Sequence, residues 1–139
     1  MISWEEQERA LLAAAKKARS NAYAPYSKFA VGAAVLTDDG EIFSGCNIEN
    51  ASYGLSNCAE RTAIFSMVAS GKRHIAAVAV IADTPRAVSP CGACRQVLAE
   101  FGRPETPVVL ANQNGHLVHT TLKELLPYAF HREDLTTDD

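Results

Sequence analysis

The sequence predicts an α/β fold in which a mixed five-stranded sheet lies between helices, as three α/β/α layers. Apolar runs of strand length alternate with segments of helical periodicity, and turn residues such as Asp38-Asp39-Gly40 separate them. The order strand–strand–helix–strand–helix–strand–strand requires both parallel and antiparallel neighbours in one sheet. With 139 residues, 47% of them hydrophobic, the chain suits one compact domain over 1–139.

The first element is an amphipathic helix over 3–19, which Ser3 can cap and whose charge order suits the helix dipole. An irregular loop broken by Pro25 follows it. The run Ile75–Ala82, which reads IAAVAVIA, is apolar throughout and predicts a central strand. The other predicted elements are the strands Phe29–Thr37, Glu41–Asn47, Pro107–Ala111 and His116–Thr120, the helices Cys58–Ser70 and Cys91–Phe101, and a helical turn over Leu122–Leu126.

Charge and composition indicate a small-molecule substrate. The formal net charge is -3 at pH 7 and no Lys/Arg run is present, which disfavours a nucleic-acid partner. No segment approaches the roughly 20 apolar residues that a membrane span needs. The charged first 20 residues also lack an apolar signal core, so we expect a cytoplasmic protein.

Two cysteine motifs point to a metal site. Cys58-Ala59-Glu60 supplies one thiol beside a carboxylate, and Pro90-Cys91-Gly92-Ala93-Cys94 supplies two more. Three thiolates make an incomplete tetrahedral zinc site, and a catalytic zinc keeps its fourth position for water. We therefore predict that Cys58, Cys91 and Cys94 bind one Zn²⁺ per chain, and that Glu60 moves protons.

Helix geometry constrains both motifs. Residues i and i+2 of a helix point roughly 200° apart, so Cys58 and Glu60 can share a site only where a helix begins. Asn57 is the predicted N-cap of that helix, and Ser89 is the predicted N-cap of the next, with Pro90 as its first residue. Two helix N-termini would then converge on one cation.

Three thiolates carry one more negative charge than Zn²⁺ neutralises. Arg61 and Arg95 each stand next to a motif, so either could donate hydrogen bonds to thiolate sulfur.

The residues alone leave alternatives open. Cys91 and Cys94 could form a redox pair, or Cys46 could complete a structural four-thiolate zinc site. Asn57 and Glu60 also fit a variant capping box, in which the carboxylate only bonds backbone N–H.

Taken together, the motifs resemble the small, homotetrameric, zinc-dependent cytidine deaminases over nearly the whole chain. The Asn-x-Glu-Asn segment narrows the resemblance from the wider deaminase superfamily to the deaminases that act on cytidine. The segments that carry the resemblance are Ala24-Pro25-Tyr26-Ser27-x-Phe29-x-Val31-Gly32-Ala33-Ala34, Gly45-Cys46-Asn47-Ile48-Glu49-Asn50, Asn57-Cys58-Ala59-Glu60-Arg61-Thr62-Ala63 and Ser89-Pro90-Cys91-Gly92-Ala93-Cys94-Arg95-Gln96.

The resemblance implies a cytidine-deaminase-like fold and a set of substrate contacts. Asn47 and Glu49 would hold the ribose, and Phe29 would pack on the pyrimidine face. Tyr53 would lie near the sugar at a subunit contact, and Phe130 would complete the site of a neighbouring subunit in a homotetramer.

The resemblance also implies hydrolytic deamination of cytidine, and of 2′-deoxycytidine, in pyrimidine salvage. Zinc would activate water, Glu60 would shuttle protons, and the backbone N–H of Ala59 would bond the pyrimidine carbonyl. Three other functions stay open: a deaminase of another cytosine-containing molecule of the blasticidin S type, a non-catalytic zinc-stabilised module, and a nucleic-acid editing deaminase.

Overall fold

A computed structural model describes residues 3–135, so the predicted domain 1–139 extends beyond the described residues at both ends. The elements in chain order are α1 Trp4–Arg19, β1 Val31–Thr37, β2 Ile42–Cys46, a 3₁₀ turn Tyr53–Leu55, α2 Ala59–Ala69, β3 Ile75–Ala82, α3 Gly92–Phe101, β4 Pro107–Asn112, β5 Leu117–Thr121, α4 Leu122–Leu125 and a second 3₁₀ turn Arg132–Leu135. The predicted order of helices and strands is confirmed, while the two 3₁₀ turns were not predicted. Within residues 3–135, no helix is both long and apolar enough to cross a membrane.

The five strands form one mixed sheet in the order β2-β1-β3-β4-β5. β3 and β4 are parallel, and the other neighbouring pairs are antiparallel. Because β2 and β3 both run antiparallel to β1, they run in the same direction. α2 connects β2 to β3, and α3 connects β3 to β4, so both helices begin at the edge where those strands end.

Side chains of the sheet alternate between two cores, one on each face. Val78 and Val80 of β3 face the core that α2 and α3 cover, whereas Ala77 and Ala79 face the core that α1 covers. The α2 and α3 core also contains Leu122 at the start of α4. The three-layer α/β/α prediction is therefore confirmed.

The predicted strand Phe29–Thr37 begins two residues too early, because β1 starts at Val31. Lys28 has a φ of 61°, in the left-handed region, so the chain turns sharply just before Phe29. The Phe29 carbonyl accepts a hydrogen bond from the side chain of Asn47 rather than from a neighbouring strand. An apolar run in the sequence does not reveal such side-chain pairing.

The end of β2 approaches the start of α2 closely at Gly45. A Cβ atom on Gly45 would lie 2.5 Å from the backbone nitrogen of Ala63 and 2.8 Å from the backbone oxygen of Ala59. Neither backbone atom can move without displacing the helix. The absence of a side chain at Gly45 therefore sets how closely the first turns of α2 pack on the sheet.

We expect Gly45→Ala to destabilise the protein by about 2 kcal/mol, because its methyl group overpacks a backbone contact. The free energy of unfolding from urea titration measures this loss. Gly54→Ala is the matched control, since a Cβ there meets no atom within 4 Å. Equal stability of the two variants would contradict the close-packing role of Gly45.

Candidate metal and substrate site

α2 and α3 each begin directly after a cysteine of the predicted metal site. Cys58 is the N-cap of α2 and Cys91 is the N-cap of α3, and neither thiol makes a capping hydrogen bond. The predicted caps Asn57 and Ser89 are therefore wrong, as is the helical position of Pro90. Both sulfur atoms remain available as ligands at the positive end of a helix.

Tertiary contacts explain why the predicted caps were displaced. Asn57 exchanges two backbone hydrogen bonds with Ile48, and its side chain donates to Thr62 Oγ1 at 3.1 Å. Ser89 Oγ instead accepts a hydrogen bond from Arg95 Nη2 at 2.6 Å. Both side chains are thus engaged outside the capping position.

The fold brings the sulfur atoms of Cys58, Cys91 and Cys94 within 4.8 Å of one another. The Sγ atoms of Cys58 and Cys91 are 3.8 Å apart. Two thiolates bound at about 2.3 Å to a tetrahedral zinc would lie about 3.8 Å apart, so this donor set fits zinc. Cys46 is outside the group, which argues against a four-thiolate site. A redox pair needs only two thiols, so the convergence of three thiols also argues against that alternative.

The three thiols differ in environment before a metal binds. Cys94 hydrogen-bonds Cys58 and lowers the pKa of Cys58 to about 5, with Arg61 and Cys91 adding to the effect against burial. The Cys58 thiolate and full burial raise the pKa of Cys94. Cys94 therefore holds its proton in the metal-free protein, and metal binding must release it.

Glu60 lies in the first turn of α2 and is only 4% exposed. Burial raises the pKa of its carboxyl group, and the nearby negative charge of Cys58 raises the pKa further. The capping-box alternative is not realised, since the N–H of Asn57 donates to the carbonyl of Ile48 at 2.8 Å instead. A buried carboxyl group with a raised pKa suits proton transfer near neutral pH.

Arg61 makes the contact with a thiolate that its position suggests. Its Nη2 donates to Cys58 Sγ at 3.3 Å, and this hydrogen bond is the main cause that raises the pKa of the guanidinium group. Its buried Nε has no hydrogen-bond partner among the described residues. The guanidinium group therefore lies directly beside the thiol cluster.

Arg95 does not have the same role. Its side chain donates to the carbonyl oxygens of Pro90 and Leu125 and to Ser89 Oγ, at 2.8, 2.6 and 2.6 Å. The prediction that Arg95 could donate to a thiolate is wrong. Arg95 instead braces the loop that leads into Cys91.

Asn47 and Glu49 are held by backbone groups at the start of β1 and in the loop before it. Asn47 Oδ1 accepts from the N–H of Val31 at 2.8 Å, and Asn47 Nδ2 donates to the carbonyl of Phe29 at 2.7 Å. Glu49 Oε1 accepts from the N–H groups of Tyr26 and Ser27, each at 3.0 Å. Each side chain keeps spare hydrogen-bonding capacity for a ligand.

Glu49 and Tyr53 lie beside the same open cavity of about 350 Å³, lined by Tyr26, Ser27, Glu49, Tyr53 and Ser56. The ring of Tyr53 contacts Tyr26 edge to face, with centroids 5.9 Å apart, and remains 75% exposed.

The other two predicted aromatic contacts lie outside the lining of this cavity. Phe29 is 40% exposed and Phe130 is 56% exposed. The carbonyl of Phe130 accepts from Gln96 Nε2 on α3 at 2.7 Å. Ala59, the first residue of α2, is fully buried, and its N–H stands where a helix offers no internal acceptor.

The sequence did not predict a role for Ser27 or the contacts by which Arg95 stabilises the loop before α3. Ser27 Oγ donates to Glu49 Oε2 and accepts from the N–H of Phe29. A serine that bonds the N–H two residues later is a recognised local motif, so the spacing of Ser27 and Phe29 could have indicated this contact.

Comparison with known proteins gives consistent similarities. Residues 5–110 match the family described as the cytidine and deoxycytidylate deaminase zinc-binding region. The chain is 58% identical to the cytidine deaminase of Sporosarcina psychrophila over 91% of this chain and 93% of that protein. It also resembles the crystal structure of cytidine deaminase from Burkholderia pseudomallei, with a TM-score of 0.85 and 57% identity over 88% of this chain and 98% of that one. A more distant relative, the blasticidin-S deaminase of Bacillus cereus, is 36% identical over 76% of this chain and 80% of that protein.

We expect Arg61→Met to weaken zinc binding about tenfold or more, because the Cys58 thiolate loses its charged hydrogen-bond donor. Competition with a chromogenic chelator measures the affinity. Arg9→Met is the matched control, since it removes the same charge from an exposed position on α1. Equal zinc affinities for the two variants would contradict the contribution of Arg61.

Proposed function

We propose that this chain, which belongs to the cytidine and deoxycytidylate deaminase family, hydrolyses cytidine and 2′-deoxycytidine to uridine or 2′-deoxyuridine and ammonia. The observation that carries the proposal is the burial of Glu60 at the start of the helix that also presents Cys58. A carboxyl group at this position can exchange protons with a water molecule bound by the metal. A purely structural metal site would not require it.

Cys58, Cys91 and Cys94 would hold one Zn²⁺, and Arg61 would offset the surplus negative charge of the thiolates. When bound, zinc supplies a Lewis acid that makes a water molecule acidic near neutral pH. Arg61 keeps its proton throughout, so it stabilises the Cys58 thiolate without taking part in proton transfer.

Glu60 would act first as a base and then as an acid. It accepts one proton from the attacking water and delivers it to N3 of the cytosine ring, as the oxygen bonds to C4. It then accepts the second proton from that oxygen and delivers it to the amino group, which leaves as ammonia. The backbone N–H of Ala59 would donate a hydrogen bond to the pyrimidine carbonyl.

The polar groups that follow β2 would select a nucleoside. Asn47 and Glu49 would hold the ribose hydroxyls, Phe29 would pack on the base, and Tyr53 would border the sugar. Support comes from the open cavity that Glu49 and Tyr53 share. A net charge of -3 also favours a free nucleoside over a polynucleotide.

The proposal extends to assembly and setting: one domain over 1–139, acting as a cytoplasmic homotetramer in pyrimidine salvage. The exposed rings of Tyr53 and Phe130 are suited to contact other subunits. If the zinc-loaded protein sedimented as a fully active monomer, the assembly and the borrowed role of Phe130 would both be wrong.

The substrate is tested by incubating the zinc-loaded protein separately with cytidine, 2′-deoxycytidine and blasticidin S, and following ammonia release. We expect turnover of the two nucleosides. Faster turnover of blasticidin S would favour a second candidate function, the deamination of blasticidin S. The similarity to the blasticidin-S deaminase of Bacillus cereus is the observation behind this candidate. No turnover of any of these compounds by a zinc-saturated protein would contradict the proposed activity.

We expect Glu60→Gln to retain about one zinc per chain and to lose at least about a hundredfold in ammonia release, because the amide cannot shuttle protons. Metal content and turnover are measured on the same preparation. Glu5→Gln, on the exposed first turn of α1, is the matched control and should retain full activity. Appreciable turnover by the zinc-loaded Glu60→Gln variant would refute the role of Glu60.

A further inference from the structure

The loop before β1 is organised around the carboxylate of Glu49. Two backbone N–H groups, those of Tyr26 and Ser27, donate to one oxygen at 3.0 Å each, and the Ser27 hydroxyl donates to the other. The Ser27 hydrogen bond is the main cause that holds the pKa of Glu49 below its ordinary value. At neutral pH this carboxylate is ionised, so it can only accept hydrogen bonds.

The direction of the Ser27–Glu49 hydrogen bond determines what else Ser27 can do. Because its hydrogen is directed at Glu49, the oxygen of Ser27 offers its lone pairs to other donors. One of them accepts the N–H of Phe29 at 3.0 Å. Glu49, Ser27 and the backbone of Phe29 therefore form a continuous chain of hydrogen bonds, which we name the Ser27 relay.

The carbonyl of Phe29 is held independently of the Ser27 relay. Asn47 Nδ2 donates to this carbonyl at 2.7 Å, and Asn47 Oδ1 accepts from Val31 at 2.8 Å. The backbone of Phe29 is thus fixed at its N–H through Glu49 and at its C=O through Asn47. Both residues proposed to bind the sugar also fix the residue proposed to pack on the base.

The backbone between Ser27 and Phe29 is strained. Lys28 adopts a φ of 61°, and a lysine in the left-handed region is unfavourable. Such a conformation persists only where surrounding contacts impose it. The N–H of Lys28 donates to the carbonyl of Ala24 at 3.0 Å, and the Ser27 relay adds to this contact because it joins the residues on either side of Lys28.

We propose that Ser27 is a positioning residue that couples sugar recognition at Glu49 to the placement of Phe29 against the base. The inference rests on the proposed function. The Ser27 relay orders the Phe29 backbone before a nucleoside binds, so less order has to be imposed during binding. Among the described residues, none of its hydrogen bonds goes to a cysteine, so it should affect substrate binding more than metal binding or the chemical step.

The kinetic test compares zinc-loaded Ser27→Ala, Ser27→Thr and Ser44→Ala. Ser44 is an exposed serine on β2, so Ser44→Ala removes the same hydroxyl outside the Ser27 relay. We expect Ser27→Ala to raise KM for cytidine about tenfold, with kcat within about twofold of the unaltered protein and zinc content unchanged. Ser27→Thr keeps the hydroxyl and should recover most of the loss. A KM for Ser27→Ala equal to that of Ser44→Ala, or a Thr variant as impaired as the Ala variant, would overturn the proposal.

A second measurement does not depend on turnover. Hydrogen exchange of the Phe29 amide, followed by NMR on the zinc-loaded protein, should be about tenfold faster in Ser27→Ala and unchanged in Ser44→Ala. Unchanged exchange in Ser27→Ala would disprove the Ser27 relay itself. Faster exchange in a protein that does not deaminate cytidine would leave the Ser27 relay intact and reject the proposed function.

Discussion

The site depends on one geometric constraint: α2 and α3 must begin at the same point in space. Three sulfur atoms lie within 4.8 Å only because Cys58 and Cys91 immediately precede the two helices and Cys94 lies in the first turn of α3. The sheet satisfies this constraint because β2 and β3 run in the same direction and end at the same edge. Gly45 then brings the start of α2 within contact distance of the sheet. The arrangement of the three thiols is therefore a consequence of strand order and of one missing side chain.

The electrostatics of the site follow from the same convergence. Placing three thiolates beside the buried carboxyl group of Glu60 is unfavourable unless positive charge accompanies them. Zn²⁺ and Arg61 together balance the charge of the three thiolates, and the two helix N-termini add partial positive charge. Glu60 is not one of the three thiols, so its charge could change without breaking a bond to a metal held by them. Its raised pKa is thus consistent with a proton carrier, and the hydrogen bond from Arg61 Nη2 to Cys58 Sγ places a positive charge beside the cluster.

Patterns along the chain predicted the order of the helices and strands and the convergence of the cysteines, because hydrophobic periodicity and metal-ligand spacing are local properties. The predictions that failed depend on contacts between distant segments. Asn57 is a good N-cap by residue type, but its backbone pairs with Ile48 and the helix begins one residue later. Arg61 lies three residues after Cys58 and Arg95 directly follows Cys94, yet only Arg61 contacts a thiol, while the donors of Arg95 reach Leu125 and the loop before α3. Neighbouring positions in sequence could not distinguish the two arginines.

The side chains of Asn47 and Glu49 have a structural role that is compatible with the recognition role proposed for them. The Asn47 amide orients both of its polar ends on the backbone around Phe29, and it keeps one N–H and one lone pair. A side chain fixed in this way has little rotational freedom left to lose when a hydroxyl group binds. The same backbone contacts fix the start of β1, so errors in the placement of the sugar site would also displace the sheet. The residues proposed to recognise the sugar therefore also hold the backbone of Phe29, directly through Asn47 and through Ser27 for Glu49.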